Sequence, residues 1–465
     1  MRVLLVSTYE LGHQPLQVAS PAAALAAAGH QVRACDLAVE TLDDALVDWA
    51  QAAAFSVPMH TATRLAVEAV RRVRERRPDL PSCAYGLYAG AGGGSWGEWF
   101  DRTIAGEYEP ALVQWVESLV SSGGGGLRPR HAVALGRTRF ARPERRLLPG
   151  LDRYARLLRG DEEIVAGYVE ASHGCVHRCR HCPVPVVYDG RIRTVAKESV
   201  LADVDQLVEM GARHITFGDP DFLNGPHHSL RVIGEVHRRH PGLTFDCTTK
   251  VEHILRHRHI WPELAGAGLL FVVSAFESTS DEVLARLDKG HTVADEVEAV
   301  SVLRSAGVEV RPSLLPFTPW TRVTDMVELF DFVVANDLIG AVDPVQYSIR
   351  LLVPEGSLLL GDPDLAPRLG PYDGAALAYP WSAAEPLLDR LQQDMAAVAE
   401  REAEPGAAFA ELHALVSTAA AEAGVGRPRP LPSPLPVRPV PRLSEAWFCC
   451  AEPTAAQLTP VGGSA

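Results

Sequence analysis

Residues 172–182 read Ser-His-Gly-Cys-Val-His-Arg-Cys-Arg-His-Cys, so Cys175, Cys179 and Cys182 form a C-x3-C-x2-C pattern on one short stretch. Thiolates are the usual ligands of iron–sulfur clusters. A common [4Fe–4S] cluster takes four cysteines, whereas this stretch offers three, and Cys247 is far along the chain. The pattern therefore predicts a cluster in which one iron is left to bind another molecule.

Two other interpretations of the three cysteines remain open. Zinc accepts thiolate and imidazole ligands, and the same stretch contains His173, His177 and His181. Structural zinc sites usually draw on two paired groups of ligands, and no second C-x2-C follows. The remaining alternative is three thiols that bind no metal. The sequence favours the cluster over the zinc site and over unligated thiols.

The cysteine spacing resembles that of the radical S-adenosylmethionine (SAM) superfamily, and the resemblance extends over about residues 160–360. It implies a partial (β/α)6 barrel of the TIM type, with the cluster loop after the first strand. It also implies a [4Fe–4S] cluster on the three cysteines, SAM as cofactor, and an external one-electron reductant of the flavodoxin or ferredoxin type. The chain is thereby expected to be a radical SAM enzyme.

The hydrophobic pattern agrees with such a barrel. Apolar runs alternate with helical patterns, as in 198–209 and 281–287, and alternation of this kind predicts a parallel sheet. In barrels of this type, chemistry gathers at the C-terminal ends of the strands. Six strands are predicted at 164–170, 214–217, 243–248, 269–274, 308–314 and 345–352.

The resemblance also implies which residues meet SAM. The run Phe217-Gly-Asp-Pro-Asp-Phe222 matches the position that contacts the SAM amino group, and Glu277 matches the position that binds the ribose hydroxyls. The alternatives are a carboxylate that caps the next helix, a strand-end carboxylate facing water, or a solvated surface cation. The predicted SAM-binding residues are Gly218, Asp219, Asp221, Lys250, Ser274, Glu277 and Arg350.

Residues 1–120 predict a separate doubly wound, Rossmann-like domain. Strands are expected at 3–7, 32–37, 52–57 and 82–88, with helices at 21–29 and 61–77. The run 55–66 resembles the third strand and helix of cobalamin-binding domains. The Asp-x-His-x-x-Gly signature of those domains is absent, and Leu11-Gly-His13 is only a fragment of it. Bound cobalamin is therefore left open but disfavoured, the alternative being a domain that only packs on the barrel.

The expected domain limits follow from changes in composition. Residues 121–165 are expected to be a linker and residues 166–360 the radical SAM core. A helical C-terminal region should follow at 361–425. Residues 426–465 hold many prolines and then the run Trp447-Phe-Cys-Cys-Ala-Glu-Pro453, and they predict an extended tether with a short tail.

The vicinal cysteines Cys449 and Cys450 resemble the tail of the CUAEP/CCAEP-tail radical SAM proteins, in which selenocysteine can replace one cysteine. A swap of this kind indicates nucleophilic or soft-ligand chemistry. A dithiol suits arsenic(III), selenium or copper(I). Cys449 and Cys450 are therefore predicted to be catalytic, the alternatives being a vicinal disulfide or a tail without a role.

Composition limits the partners. The net charge of −14 over 465 residues comes without a basic block, which disfavours a nucleic-acid substrate. No stretch approaches the ~20 apolar residues of a membrane helix. Because Cys35, Cys83 and Cys247 are scattered singly, a reduced cytoplasmic protein is expected.

The sequence thus predicts reductive cleavage of SAM, with transfer of its 3-amino-3-carboxypropyl group to a soft acceptor such as arsenite on the tail dithiol. The first alternative is hydrogen abstraction by a 5′-deoxyadenosyl radical, or cobalamin-dependent methylation, on a small organic or peptide substrate. The second alternative is a sensor that only binds a metal or metalloid.

Overall fold

The computed structural model describes residues 1–90, 96–121, 130–402, 404–446, 451–454 and 456–458. Its first unit is a parallel sheet with helices on both faces. The elements are β1 (Arg2–Ser7), α1 (Leu16–Ala27), β2 (Gln31–Asp36), α2 (Asp44–Trp49), β3 (Ala52–Ser56), α3 (His60–Arg76), β4 (Ser82–Tyr85), α4 (Trp96–Trp99), β5 (Arg102–Gly106), α5 (Tyr108–Ser121) and β6 (Arg130–Ala134).

The strands of this sheet lie in the order β2-β1-β3-β4-β5-β6, and all neighbours are parallel. The four predicted strands and the doubly wound fold are confirmed. The expected domain limit at residue 120 falls inside α5, and the sheet continues into β6. The strand order reverses between β1 and β3, and open α/β sheets bind ligands outside the carboxyl ends of the strands at such a point.

The second unit is the barrel with its covering helices. Its elements are β7 (Arg156–Arg159), β8 (Glu162–Val169), β9 (Ser172–Gly174), α6 (Val184–Tyr188), β10 (Ile192–Thr194), α7 (Lys197–Glu209), β11 (His214–Phe217), α8 (Pro226–Arg239), β12 (Thr244–Thr248), α9 (Val251–Arg256), α10 (Trp261–Gly266), β13 (Leu269–Glu277), α11 (Asp281–Arg286), α12 (Val293–Ser305), β14 (Glu309–Leu314), α13 (Val323–Ala335), α14 (Pro386–Arg401), α15 (Pro405–Glu422) and β15 (Arg442–Leu443).

The barrel sheet has the order β14-β13-β12-β11-β8-β7-β15. Five strands of this sheet are parallel, namely β8, β11, β12, β13 and β14. Strands β7 and β15 join antiparallel at one edge. These five strands lie close to their predicted positions, so the open α/β barrel is confirmed. The parallel strands run as apolar segments because helices cover the sheet.

The prediction of a sixth strand at 345–352 is wrong for most of these residues. Residues Pro344–Ser348 form a 3-10 helix instead. Proline fixes its own φ and has no N–H to donate to a strand ladder, so the chain turns at Pro344. Only the next residues run beside the barrel: Leu351 N donates to Phe317 O at 2.9 Å, and Phe317 N donates to Ile349 O at 3.2 Å.

The C-terminal region adds two helices and an anchored extended segment. Helices α14 and α15 confirm the helical expectation, although the segment before Pro386 forms turns. The proline-rich stretch 427–441 contains neither helix nor strand, and it is held against the barrel. Arg438 Nη2 donates to Glu309 Oε2 at 2.8 Å, and β15 pairs with β7. Among the described residues, no helix combines the length and apolar character of a membrane span.

Candidate active site

The three motif cysteines lie on the loop between β9 and α6. The loop is held by antiparallel pairing of β9 with β10. Gly174, which precedes Cys175, has φ +74°, and a Cβ there would lie 2.2 Å from the Arg191 carbonyl oxygen. Only glycine fits this close approach. The backbone is thus fixed directly before the first cysteine.

Cys175, Cys179 and Cys182 all line one cavity of about 200 Å³, which we call the cysteine cavity. None of the three forms a disulfide with another cysteine of the described residues. Burial raises the pKa of the Cys175 thiol to about 12, and that of Cys179 is also raised by burial, although Lys289 and Lys250 act in the opposite direction. Three thiols on one cavity, next to two cations that stabilise thiolates, fit a [4Fe–4S] cluster held by three protein ligands.

Two histidines of the motif are already engaged away from the thiols. His173 Nδ1 lies 3.0 Å from Glu107 Oε1, and its Nε2 lies 3.1 Å from Glu170 Oε2. His181 is buried, with its Nε2 3.2 Å from Glu277 Oε1. A zinc site that used His173 would have to break one of these contacts, whereas His181 Nδ1 has no hydrogen-bond partner among the described residues. The geometry therefore removes His173, but not His181, from the zinc alternative.

A buried ion pair lines the cysteine cavity. Lys289 Nζ donates to Glu277 Oε1 at 3.0 Å. Burial alone would raise the pKa of Glu277, but the Lys289 ammonium and the contact with His181 outweigh it and lower the pKa to about 2. Glu277 also has φ +68°, a backbone conformation that residues other than glycine rarely adopt. Such a strained, charged residue at a strand end is typical of a functional site.

Lys289 is the functional candidate that sequence reasoning missed. It is only 2% exposed and lines the cysteine cavity together with Glu277 and Lys250. The only local signal is the run Asp288-Lys-Gly-His291 between two helices. A cation in such a run is usually solvated, and only the fold shows that this one is buried.

The predicted SAM-binding residues do not all face the same space. Lys250 and Glu277 line the cysteine cavity, and Gly218 lines a second cavity beside it. Asp219 lies behind the cluster loop, where it accepts from Ser172 Oγ at 2.5 Å and from Ala171 N at 2.9 Å. Burial raises the pKa of Asp219 to about 7.

The other three predicted residues also line neither cavity. Asp221 is fully buried beside two histidines. Ser274 is buried, and its Oγ has no hydrogen-bond partner among the residues that the structure describes. Arg350 pairs with Asp389 at 2.8 Å and stacks on the Trp381 ring. Cys449 and Cys450 lie outside the described residues.

A second cavity of about 230 Å³ lies between the two units, and we call it the interdomain cavity. Six residues line both cavities, so the two spaces adjoin: Pro58, Met59, Leu87, Val184, Pro220 and Thr248. Pro58 and Met59 follow β3, and Glu10 and His13 follow β1, so the cavity opens at the point where the strand order reverses. This is where such a sheet is expected to bind a ligand.

The interdomain cavity is lined by several carboxylates. Glu10, Glu109, Glu170 and Asp246 all contribute to its wall. Burial raises the pKa of Glu10, and the nearby charges of Asp36 and Glu170 raise it further. His173 is the facing cation: burial alone would lower its pKa, but Glu107 and Glu170 raise it well above its usual value. The wall therefore carries more acidic than basic groups.

The family model of the radical SAM superfamily matches residues 169–333, which include the cluster loop and the strands from β11 to β14. This stretch of the chain therefore matches a radical SAM domain, and that family implies a [4Fe–4S] cluster and SAM as cofactors.

The similar curated proteins share only part of their length with this chain. A protein named as a methylthiotransferase from Methanocaldococcus jannaschii is 25% identical over 205 residues, which are 41% of this chain and 43% of that protein. The hopanoid C-2 methylase of Rhodopseudomonas palustris is 23% identical over 31% of this chain and 28% of its own length. The chain thus spans less than half the length of either relative.

Solved structures share the fold over most of the chain. The apo structure of the cobalamin-dependent SAM radical enzyme OxsB has a TM-score of 0.66 at 15% identity, and covers 85% of this chain and 66% of its own. The radical SAM methyltransferase TsrM from Kitasatospora setae, with tryptophan and a SAM analogue, has a TM-score of 0.59 at 18% identity. The match covers 77% of this chain and 74% of TsrM. These likenesses show a common arrangement of Rossmann-like domain and barrel.

We expect purified protein to retain little cobalamin after incubation with hydroxocobalamin and gel filtration. The lower-ligand signature is missing, and His13 is buried against the Tyr168 ring with a pKa lowered by burial to about 4. Stoichiometric cobalamin in the eluted protein, read from its visible spectrum, would overturn this prediction.

Proposed function

We propose that the chain is a radical SAM enzyme that transfers the 3-amino-3-carboxypropyl group of SAM to a soft acceptor such as arsenite. In this proposal Cys449 and Cys450 hold the acceptor, and the external reductant supplies the electrons. A cluster on Cys175, Cys179 and Cys182 would supply the chemistry that cleaves a carbon–sulfur bond of SAM. The balanced transfer consumes two electrons and one proton, releases methylthioadenosine and water, and replaces one hydroxyl of arsenous acid by carbon.

One observation supports this proposal most: the position of Ala451, which follows the two tail cysteines directly. Ala451 is 7% exposed and lines the cysteine cavity. It forms a bridge with Leu351, and Glu452 N donates to Arg350 O at 3.0 Å. The tail is therefore anchored at the cavity that carries the three motif cysteines, one residue after the dithiol in the chain.

The residues around Ala451 suit such an anchor. Glu452 Oε1 lies 3.5 Å from Arg350 Nε, and Arg350 is held in turn by Asp389 and by the Trp381 ring. Arg350, which was expected to bind SAM, thus lies where it fastens the tail. We propose that its main role is to position the tail segment.

The cavity wall offers the groups that SAM needs. The ammonium groups of Lys250 and Lys289 can meet a carboxylate, and the charged Glu277 can accept from hydroxyl groups. We propose that Lys250 and Glu277 bind SAM, and that Lys289 keeps Glu277 ionised.

The tail is tested by the double substitution Cys449→Ser/Cys450→Ser. We expect the cluster and SAM cleavage to persist while the alkylated acceptor is lost, because a thiol pair chelates a trivalent soft atom and hydroxyls do not. Chromatography with mass detection reads both products. Cys35→Ala is the control, since Cys35 lies in β2 and lines neither cavity. Wild-type turnover of arsenite by the double variant would end the dithiol hypothesis.

A second candidate function uses the interdomain cavity. Its carboxylates and its connection to the cysteine cavity favour hydrogen abstraction from, or methyl transfer to, an organic substrate that carries an amino group. In that case the nucleoside product is 5′-deoxyadenosine for hydrogen abstraction, and Glu170→Gln should raise the KM for the substrate. Arsenite should then have no effect on SAM consumption.

A further inference from the structure

We infer that His177, Asp221 and His253 form a mononuclear site for a divalent transition metal, separate from the cluster on the three cysteines. His177 lies in the cluster loop, Asp221 follows β11, and His253 lies in α9. The site therefore joins three segments at the C-terminal end of the barrel. Its chemistry of two imidazoles and one carboxylate suits zinc or iron(II) with an open position for water.

The distances between the three side chains suit one ion. His177 Nε2 lies 3.6 Å from Asp221 Oδ2, and His253 Nδ1 lies 2.8 Å from the same oxygen. All three ligand atoms lie within 4.8 Å of one another. A tetrahedral zinc ion with bonds of ~2.0 Å separates its ligands by roughly 3.3 Å, within the range of these distances.

The ligand atoms have no other partner. His177 Nε2, Asp221 Oδ2 and His253 Nδ1 are all buried and make no hydrogen bond in the part of the chain that the structure describes. The close approach of His253 to Asp221 lacks hydrogen-bond geometry, although the distance is short. Asp221 is fully buried and His253 is 3% exposed. Buried polar atoms are nearly always satisfied, so three that converge on one point indicate a missing ligand.

Neighbouring groups orient the three ligating side chains, as they do around metal ions in other proteins. Asp221 Oδ1 accepts from Leu223 N at 3.0 Å, which directs Oδ2 toward the histidines. His177 Nδ1 lies 3.5 Å from Glu252 Oε2, and Arg256 donates to the other oxygen of Glu252. A carboxylate on the far nitrogen of a ligating histidine fixes its tautomer and its ring orientation.

A line of imidazoles connects the site with the surface. The rings of His253 and His257 lie 5.7 Å apart, and those of His257 and His259 lie 6.4 Å apart. Their exposure rises from the buried His253 through the half-buried His257 to the exposed His259. An ion could enter along this line.

The site would clamp the cluster loop to the barrel. His177 lies between Cys175 and Cys179, and a metal bond from His177 to Asp221 and His253 would hold this loop against β11 and α9. This assignment gives Asp221 a role other than contact with the SAM amino group. It does not depend on which group of SAM is transferred.

Zinc analysis of the full chain tests this inference. Protein with a reconstituted cluster is incubated anaerobically with Zn²⁺ and desalted. We expect one zinc per wild-type chain, and at least a tenfold lower zinc content in His253→Gln and in Asp221→Asn at unchanged cluster iron. His259→Gln is the matched control and should keep its zinc. A wild-type chain without zinc, or a His253→Gln variant that keeps it, would overturn the inference.

X-ray absorption at the zinc edge of the wild-type protein provides a test without any substitution. Nitrogen and oxygen neighbours at ~2.0–2.1 Å, with no sulfur, are expected for this site. Sulfur neighbours at ~2.3 Å would show that the zinc occupies the cysteines instead, and would contradict the proposed site.

Discussion

Cys179→Ala is expected to abolish both the broad iron–sulfur absorbance near ~400 nm and all reductive cleavage of SAM. Cys179 is 7% exposed and lines the same cavity as Cys175 and Cys182. Two thiolates cannot hold the cluster that three hold, and no other cysteine among the described residues lines this cavity. Anaerobic reconstitution followed by absorbance and nucleoside analysis measures both effects.

Cys247→Ala is the matched control for this prediction. Cys247 lies in β12 and is fully buried, but it lines neither the cysteine cavity nor the interdomain cavity. The variant should therefore bind the cluster and cleave SAM as the wild type does. Full SAM cleavage by Cys179→Ala would show that the assignment of the cluster is wrong.

Arg145→Ala is expected to destabilise the protein by about 3–5 kcal/mol, because it leaves the buried Asp203 carboxylate without its partner. The Arg145 guanidinium is fully buried and binds Asp203 through two hydrogen bonds, at 3.0 and 2.8 Å. It also donates to the carbonyl oxygens of Gln14 and Tyr168, and so connects the Rossmann-like domain with the barrel. Unfolding by urea, followed by circular dichroism, measures the loss.

Arg146→Ala tests whether this loss comes from the buried pair. Arg146 is the exposed neighbour of Arg145 and should change stability little. Equal unfolding midpoints for Arg145→Ala and the wild type would mean that the two units do not depend on this contact.

Much of the fold follows from local sequence. The cysteine spacing and the apolar runs are short-range patterns, and β1, β3, β11 and β12 lie almost where those patterns place them. The structure differs from the prediction at 345–352, where the apolar pattern favours a strand. Pro344 starts a 3-10 helix there, and only the residues around Arg350 reach the barrel.

The candidate site depends more on contacts between distant segments. Glu277 was expected at the site from its position at a strand end, but its partner Lys289 lies in a loop and is buried only through contacts made in the folded chain. His177, Asp221 and His253 come from three segments, and no local pattern predicts that their free atoms converge. The anchoring of Ala451 beside Leu351 likewise joins parts of the chain that lie far apart in sequence.

The nucleoside that the reduced, cluster-loaded protein forms from SAM in the presence of arsenite tests the proposed function most directly. The proposal predicts methylthioadenosine together with an aminocarboxypropylated arsenic product, and both should depend on Cys179. 5′-Deoxyadenosine as the only nucleoside would favour the second candidate and contradict the proposed transfer. An intact cluster that yields neither nucleoside would contradict radical SAM catalysis by this chain and leave a binding role for its cysteines.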